Sequence, residues 1–154
     1  MDRTIKEKFG INFHAYLVKK ADSLFLARTI KDRAIVNHGD CDKKPLALSE
    51  TGKTNDPVPI IVVTKPGIKE KKVGYDNWPH LVLKFTVETD STISDVHVTD
   101  FTAQVEENKQ YKDQLISIAI EHVKMNYPVW IPGQINGVPV RASSDITVHF
   151  TKNE

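Results

Sequence analysis

The sequence predicts an α+β fold, a three-stranded antiparallel sheet laid out as hairpin, helix, strand with the helix on one face. Three stretches carry that prediction. Over residues 138–150 the even positions are Val138, Val140, Ala142, Ser144, Ile146, Val148 and Phe150; the odd ones are Pro139, Arg141, Ser143, Asp145, Thr147 and His149. A period of two held that long gives one buried face and one wet face, so it reads as a half-exposed strand, expected to end the fold. Residues 81–87 and 93–101 alternate in the same way around Asp90, Ser91 and Thr92, and read as a hairpin. Its turn lacks the glycine that commonly supplies a positive φ. Residues 105–126 form the third stretch. Tyr111, Leu115, Ile118, Ala119 and His122 or Met125 make one helical stripe, Glu106 and Glu107 lie near the positive N-terminal dipole, and Pro128 bars continuation.

Earlier elements are less regular. Within residues 11–36, Phe13, Leu17, Ala21 and Leu24 fit a helical face, while Ile11, Phe13, Ala15 and Leu17 also alternate. Helix over part of this stretch is the expectation. Residues 37–59 are dense in Gly, Pro, Asp, Asn and Ser and read as loop or linker, and the apolar run 60–63 as a short strand. Residues 65–72, KPGIKEKK, hold too many charges to bury and read as a solvated loop. An N-terminal region, residues 1–58, is thus expected before a domain of residues 59–154.

The chain has 154 residues, 40% hydrophobic and 27% charged, enough for one ordinary domain with an extension. Its 21 basic and 20 acidic residues give no overall sign of a nucleic-acid or anionic-lipid partner, which would call for a basic surplus. The single cysteine, Cys41, cannot form an intramolecular disulfide. No apolar run approaches the roughly 20 residues of a membrane helix, and no signal-peptide core follows the charged start.

The strand, turn, strand, helix, strand order, together with VWIPGQINGVPV at residues 129–140, resembles the C-terminal domain of the TonB energy transducer over about residues 79–151. Trp130, Pro132, Gly133, Asn136, Gly137 and Pro139 carry the most specific part. On their own chemistry they read as scaffold: Trp130 caps the helix–sheet core, Pro132 and Gly133 set one turn, and Asn136–Gly137 sets a second that launches the strand. The resemblance implies a non-enzymatic, periplasmic binding domain. Its partner would be an extended peptide, the TonB box of an outer-membrane transporter, added as a strand for energy transduction to transport. The docking edge so implied is Val140, Arg141, Ala142, Ser143, Ser144, Asp145, Ile146, Thr147, Val148, His149 and Phe150. A homodimer or sensor module on the same scaffold is the alternative. In place of the family's Tyr-Pro segment and preceding helix, this chain has Tyr75, Trp78 and Pro79.

For catalysis, the notable cluster is His38, Asp40, Cys41 and Asp42. His38 and Cys41 could make a small thiol hydrolase, yet turn chemistry explains Asn37, Gly39, Asp40 and Asp42 as well. A zinc site needs about four ligands and there is no second cysteine. Phosphate loops, nucleophile elbows and dinucleotide fingerprints are absent from the sequence, so no cofactor is expected.

Overall fold

The computed structural model describes residues 10, 12–48, 54–55, 60–62, 67–70 and 78–151. They fall into two units, Met1–Ile35 and Val36–Glu154. The expected boundary at residue 58 lies inside the second unit. In the first unit, α1 (Phe13–Lys31) supplies the helix expected within residues 11–36, with Arg28 and Lys31 in its last turn, where the helix dipole favours cations.

In the second unit the described strands are β1 (Leu46–Leu48), β2 (Thr54–Asn55), β3 (Ile60–Val62), β4 (His80–Val87), β5 (Ile93–Thr102), β6 (Trp130–Ile131), β7 (Gly133–Ile135), β8 (Val138–Val140) and β9 (Ala142–Thr151). Helix α2 (Lys112–Asn126) lies between β5 and β6. The main sheet runs β3-β9-β4-β5. Its β9-β4-β5 part is the expected antiparallel trio, and β3 adds a parallel strand beside β9. Two smaller sheets, β2-β1-β6 and β7-β8, accompany it. The stretch read as linker therefore contributes β1, whose Leu46 and Ala47 pair with Ile131 and Trp130. A three-residue strand amid Pro, Asp and Gly shows no period to read.

The core lies between one face of the main sheet and α2. Leu81, Leu83, Phe85 and Val87 of β4 are buried, as are Ile146, Val148 and Phe150 of β9. Leu115, Ala119 and Val123 meet them from α2 at spacings of four. Val123 takes the place expected for His122 or Met125, and Met125 is exposed. Trp130 closes this core edge-on to Phe85, with ring centroids 4.8 Å apart, and its indole N–H donates to the Tyr127 carbonyl.

Three local expectations need correction. The long strand of residues 138–150 is divided at Arg141: β8 turns back on β7 through Asn136 (φ 52°) and Gly137 (φ 77°), and β9 joins the main sheet. Alternation continues through the break, so a period of two could not reveal it. Pro132–Gly133 is not a turn. Gly133 lies in β7, where an added Cβ would stand 2.9 Å from both Ala142 Cβ and Cys41 Sγ, so close approach of backbone is its role. The helix starts later than residue 105, because residues Glu106–Tyr111 form a 3-10 turn.

Asn108 explains that turn. Its buried amide donates to the carbonyls of Lys69 (2.8 Å) and Ala103 (3.0 Å) and accepts from the Lys69 N–H (2.9 Å). The side chain thereby ties residues 67–70, the described part of the basic loop, to the start of the helix. Asn108→Ala leaves these groups without their partner, and is expected to lower stability by about 2–4 kcal/mol, at 1–3 kcal/mol per unsatisfied buried group. A fall in the urea midpoint with unchanged slope checks it.

The β4–β5 hairpin turns without glycine because Ser91 adopts φ 72° and Asp90 accepts from both the N–H and hydroxyl of Thr92. Those hydrogen bonds hold the Asp90 carboxyl below its ordinary range. A depressed folded pKa contributes stability above the unfolded value, lost as pH falls through the folded one. Acid below about pH 4 should therefore loosen this turn, visible as a lower protection factor of the Thr92 amide, its exchange rate taken relative to the intrinsic rate at each pH.

Candidate functional site

The docking edge expected along residues 140–150 is not an open rim. On one side β9 pairs with β4 from Ala142 to His149. On the other, Val36 donates to the Arg141 carbonyl (2.9 Å) and accepts from the Ser143 N–H (2.8 Å), and β3 pairs with residues 149–151. The apolar run 60–63 marked β3 as a strand but not its place beside β9, and a single bridging residue such as Val36 leaves no periodic mark.

Between these two covers, the middle of β9 is without a partner among the described residues. Phe150 directs its N–H to Pro79, on the β4 side, whereas Ser143 directs its own to Val36, on the opposite side. Main-chain direction alternates along a strand, so Asp145 and Thr147 face away from β4. Among the described residues, nothing pairs with their N–H and C=O groups. The gap between the Val36 bridge and β3 spans Ser143 to His149, about 20 Å at ~3.3 Å per residue.

Two adjoining cavities open at this gap. One, about 200 Å³, is lined by His38, Lys44, Pro45, Ser144 and Asp145. The other, about 270 Å³, adds Asn37, Ser143 and the outward-facing Val82, Lys84 and Thr99. Both fall below the roughly 300–1,000 Å³ of drug-sized ligand pockets. His38 Nδ1 lies 4.0 Å from Asp145 Oδ1, an ion-pair distance rather than a hydrogen bond. His38 is set there by a 3-10 turn (His38–Asp40) that Asn37 caps, its side chain accepting from the Gly39 N–H. Lys84 stands opposite Asp145 in register. Its place on the wet face was legible from the alternation of β4; Lys44 and Pro45 carried no sequence signal.

The other edge of the main sheet, β5, is poorly suited to strand addition. Register shifts against β4 at Val82/Leu83 and Lys84/Thr86 leave extra residues in β5, and Asp95 there has φ 53°. Bulges and charges of this kind protect an edge from further pairing.

At the alternative cluster, Cys41 and His38 have different side-chain partners. The Cys41 thiol donates weakly to the Asn37 carbonyl at 3.7 Å, while His38 stands at the cleft beside Asp145. Partial burial, with Asp40 and Asp42 adding to it, pushes the thiol above its ordinary pKa, opposite to an activated thiolate. Alkylation of Cys41 by iodoacetamide near pH 8 is accordingly expected to run several-fold slower than that of glutathione. Among the described residues, no three metal-ligating side chains converge.

Of the motif residues, Asn136 and Gly133 reach the segment that carries His38: the Asn136 N–H donates to Asp42, four residues from His38, and the Gly133 position receives Cys41, while Trp130 packs in the core and Gly137 only turns the β7–β8 hairpin. Pro139 is exposed opposite Gln134, outside the cleft. No protein-family model matches the chain, nor does any curated protein or any solved structure.

Proposed function

We propose that this chain is a binding domain that takes an extended segment of another protein as an added strand in the gap of β9, between Val36 and β3. The observation that carries the reading is that, among the described residues, the main chain of Asp145 and Thr147 has no partner. The implied occupant, by resemblance to the TonB C-terminal domain, is the box peptide of an outer-membrane transporter, and the implied work is energy transduction to transport. The site is shorter than the edge that the resemblance suggests.

Magnitudes set the character of such binding. Four main-chain groups can make up to four hydrogen bonds, worth a net ~2–6 kcal/mol at 0.5–1.5 each. Association costs at least ~4 kcal/mol, so the main chain alone leaves little affinity. Side chains must supply the rest, and Lys44 and Lys84 beside the gap favour an acidic residue in the visiting segment. Dissociation constants from high micromolar to millimolar follow.

The test is titration of the isotope-labelled chain with transporter N-terminal peptides while following backbone amides. Shifts centred on Asp145 and Thr147 are expected. Thr147→Pro removes an N–H that β4 does not use, and should abolish binding while β9–β4 amides stay protected. Shifts located elsewhere, or equal binding of a peptide with prolines at alternate positions, would sink strand addition.

A further inference from the structure

The balanced charge of the whole chain conceals an uneven distribution. Residues 1–35 hold eight bases and four acids, a net of +4, whereas residues 36–154 hold 13 bases and 16 acids, a net of −3. The positive unit is also the apolar one. Of the nine large hydrophobic side chains exposed among the described residues, seven lie at positions 16–35. In the middle turns of α1, Leu17, Val18, Ala21, Leu24 and Phe25 recur at i, i+1, i+4, i+7 and i+8, which places them on one side of the helix. Leu24 is 63% exposed and Phe25 55%. Lys19, Lys20, Arg28 and Lys31 against a single Asp22 make the helix itself strongly basic.

A patch of this kind wants a cover. We infer that α1 binds an anionic lipid surface, lying along it with Leu17, Leu24 and Phe25 inserted at the headgroup level and the flanking Lys20 and Lys31 among the phosphates. Charge decides between occupants. A second copy of the helix would bring the same positive charge to the contact, whereas an anionic surface answers the bases and the apolar stripe together. The stems of Lys20 and Arg28 can lie on apolar surface while their heads stay at the phosphates. At ~1.5 Å per residue the helix is about 28 Å long. Among the described residues no helix is long and apolar enough to cross a membrane, so α1 lies on the surface.

The test uses the full chain in flotation with vesicles of phosphatidylcholine, alone or with about one part in four of phosphatidylglycerol. Flotation is expected only with the anionic vesicles, and high salt should weaken it roughly tenfold or more. A variant carrying Leu17→Gln, Leu24→Gln and Phe25→Gln should lose it by roughly tenfold or more, as should Lys20→Gln with Lys31→Gln. Near-ultraviolet circular dichroism of buried Trp130 shows that the second unit stays folded in each variant. Absence of flotation, equal flotation on neutral vesicles, or unimpaired flotation of the triple variant overturns the inference. So does sedimentation velocity showing a dimer that the triple variant dissolves, because a second copy then covers the patch. Stoichiometric capture by an acidic helical peptide without any vesicle binding overturns it in favour of a protein occupant.

Discussion

Phe85→Ala should be among the most damaging substitutions in this chain, costing about 3–5 kcal/mol, the range for truncating a large buried aromatic. Phe85 is 1% exposed, belongs to the central strand β4 opposite Ser144 of β9, and meets the Trp130 ring edge-on. Loss of the ring opens a cavity between sheet and helix, and Trp130 loses a contact worth about 0.5–1.5 kcal/mol beyond area burial. Domains are commonly stable by only ~5–15 kcal/mol, so a large share of the total goes. Urea denaturation followed by Trp fluorescence checks the prediction. Phe85→Leu should cost much less, because it retains most of the volume. A loss below about 1 kcal/mol for the alanine variant would mean that the sheet–helix interface is not the core.

Glu88→Ala is expected to cost about 2–4 kcal/mol, somewhat under the ~3–5 kcal/mol seen when a fully buried pair is broken. Arg141 donates from Nε to one carboxylate oxygen of Glu88 at 2.7 Å and from Nη2 to the other at 2.8 Å, with side-chain exposures of only 21% and 15%. Ser94 donates its hydroxyl to the same carboxylate. The pair links the end of β4 to the point where the chain leaves the β7–β8 hairpin and enters β9. The Glu88 hydrogen bonds raise the Arg141 pKa further, so this guanidinium remains charged throughout the accessible range and loses two charge-assisted hydrogen bonds when Glu88 is removed. The double variant Glu88→Ala, Arg141→Ala should be less destabilised than the sum of the two singles. A double-mutant cycle measures that difference, and additive losses would show that the two side chains do not act together. Binding at the gap should weaken as well, since Val36 is hydrogen-bonded to Arg141 and Ser143.

Much of the sheet–helix core was legible because its elements are periodic and half-buried. Leu81, Leu83, Phe85 and Val87, with Ile146, Val148 and Phe150, announce a shared face by alternation, and all seven are buried. The stripe on α2 was read with one error, Val123, because Met125 and His122 lie close to the same side at ~100° per residue. The candidate site was far less legible. Among the described residues it consists of a stretch of β9 without ladder partners, and that depends on where Val36 and Ile60–Val62 lie along β9, not on any residue type within it.

Local chemistry therefore determined the class of fold, the hairpin without glycine, the helix stopped before Pro128, the Asn136–Gly137 turn and the hairpin, helix, strand order of the main elements. Those features depend on side-chain period, backbone φ and neighbouring residues, all written within a few positions of one another. Tertiary structure alone decided that β9 lies inside the sheet, that the His38 ring stands 4.0 Å from Asp145, and that Asp145 and Thr147 have no main-chain partner among the described residues. Each of these joins segments dozens of residues apart, through pairings too short to impose a pattern on the sequence.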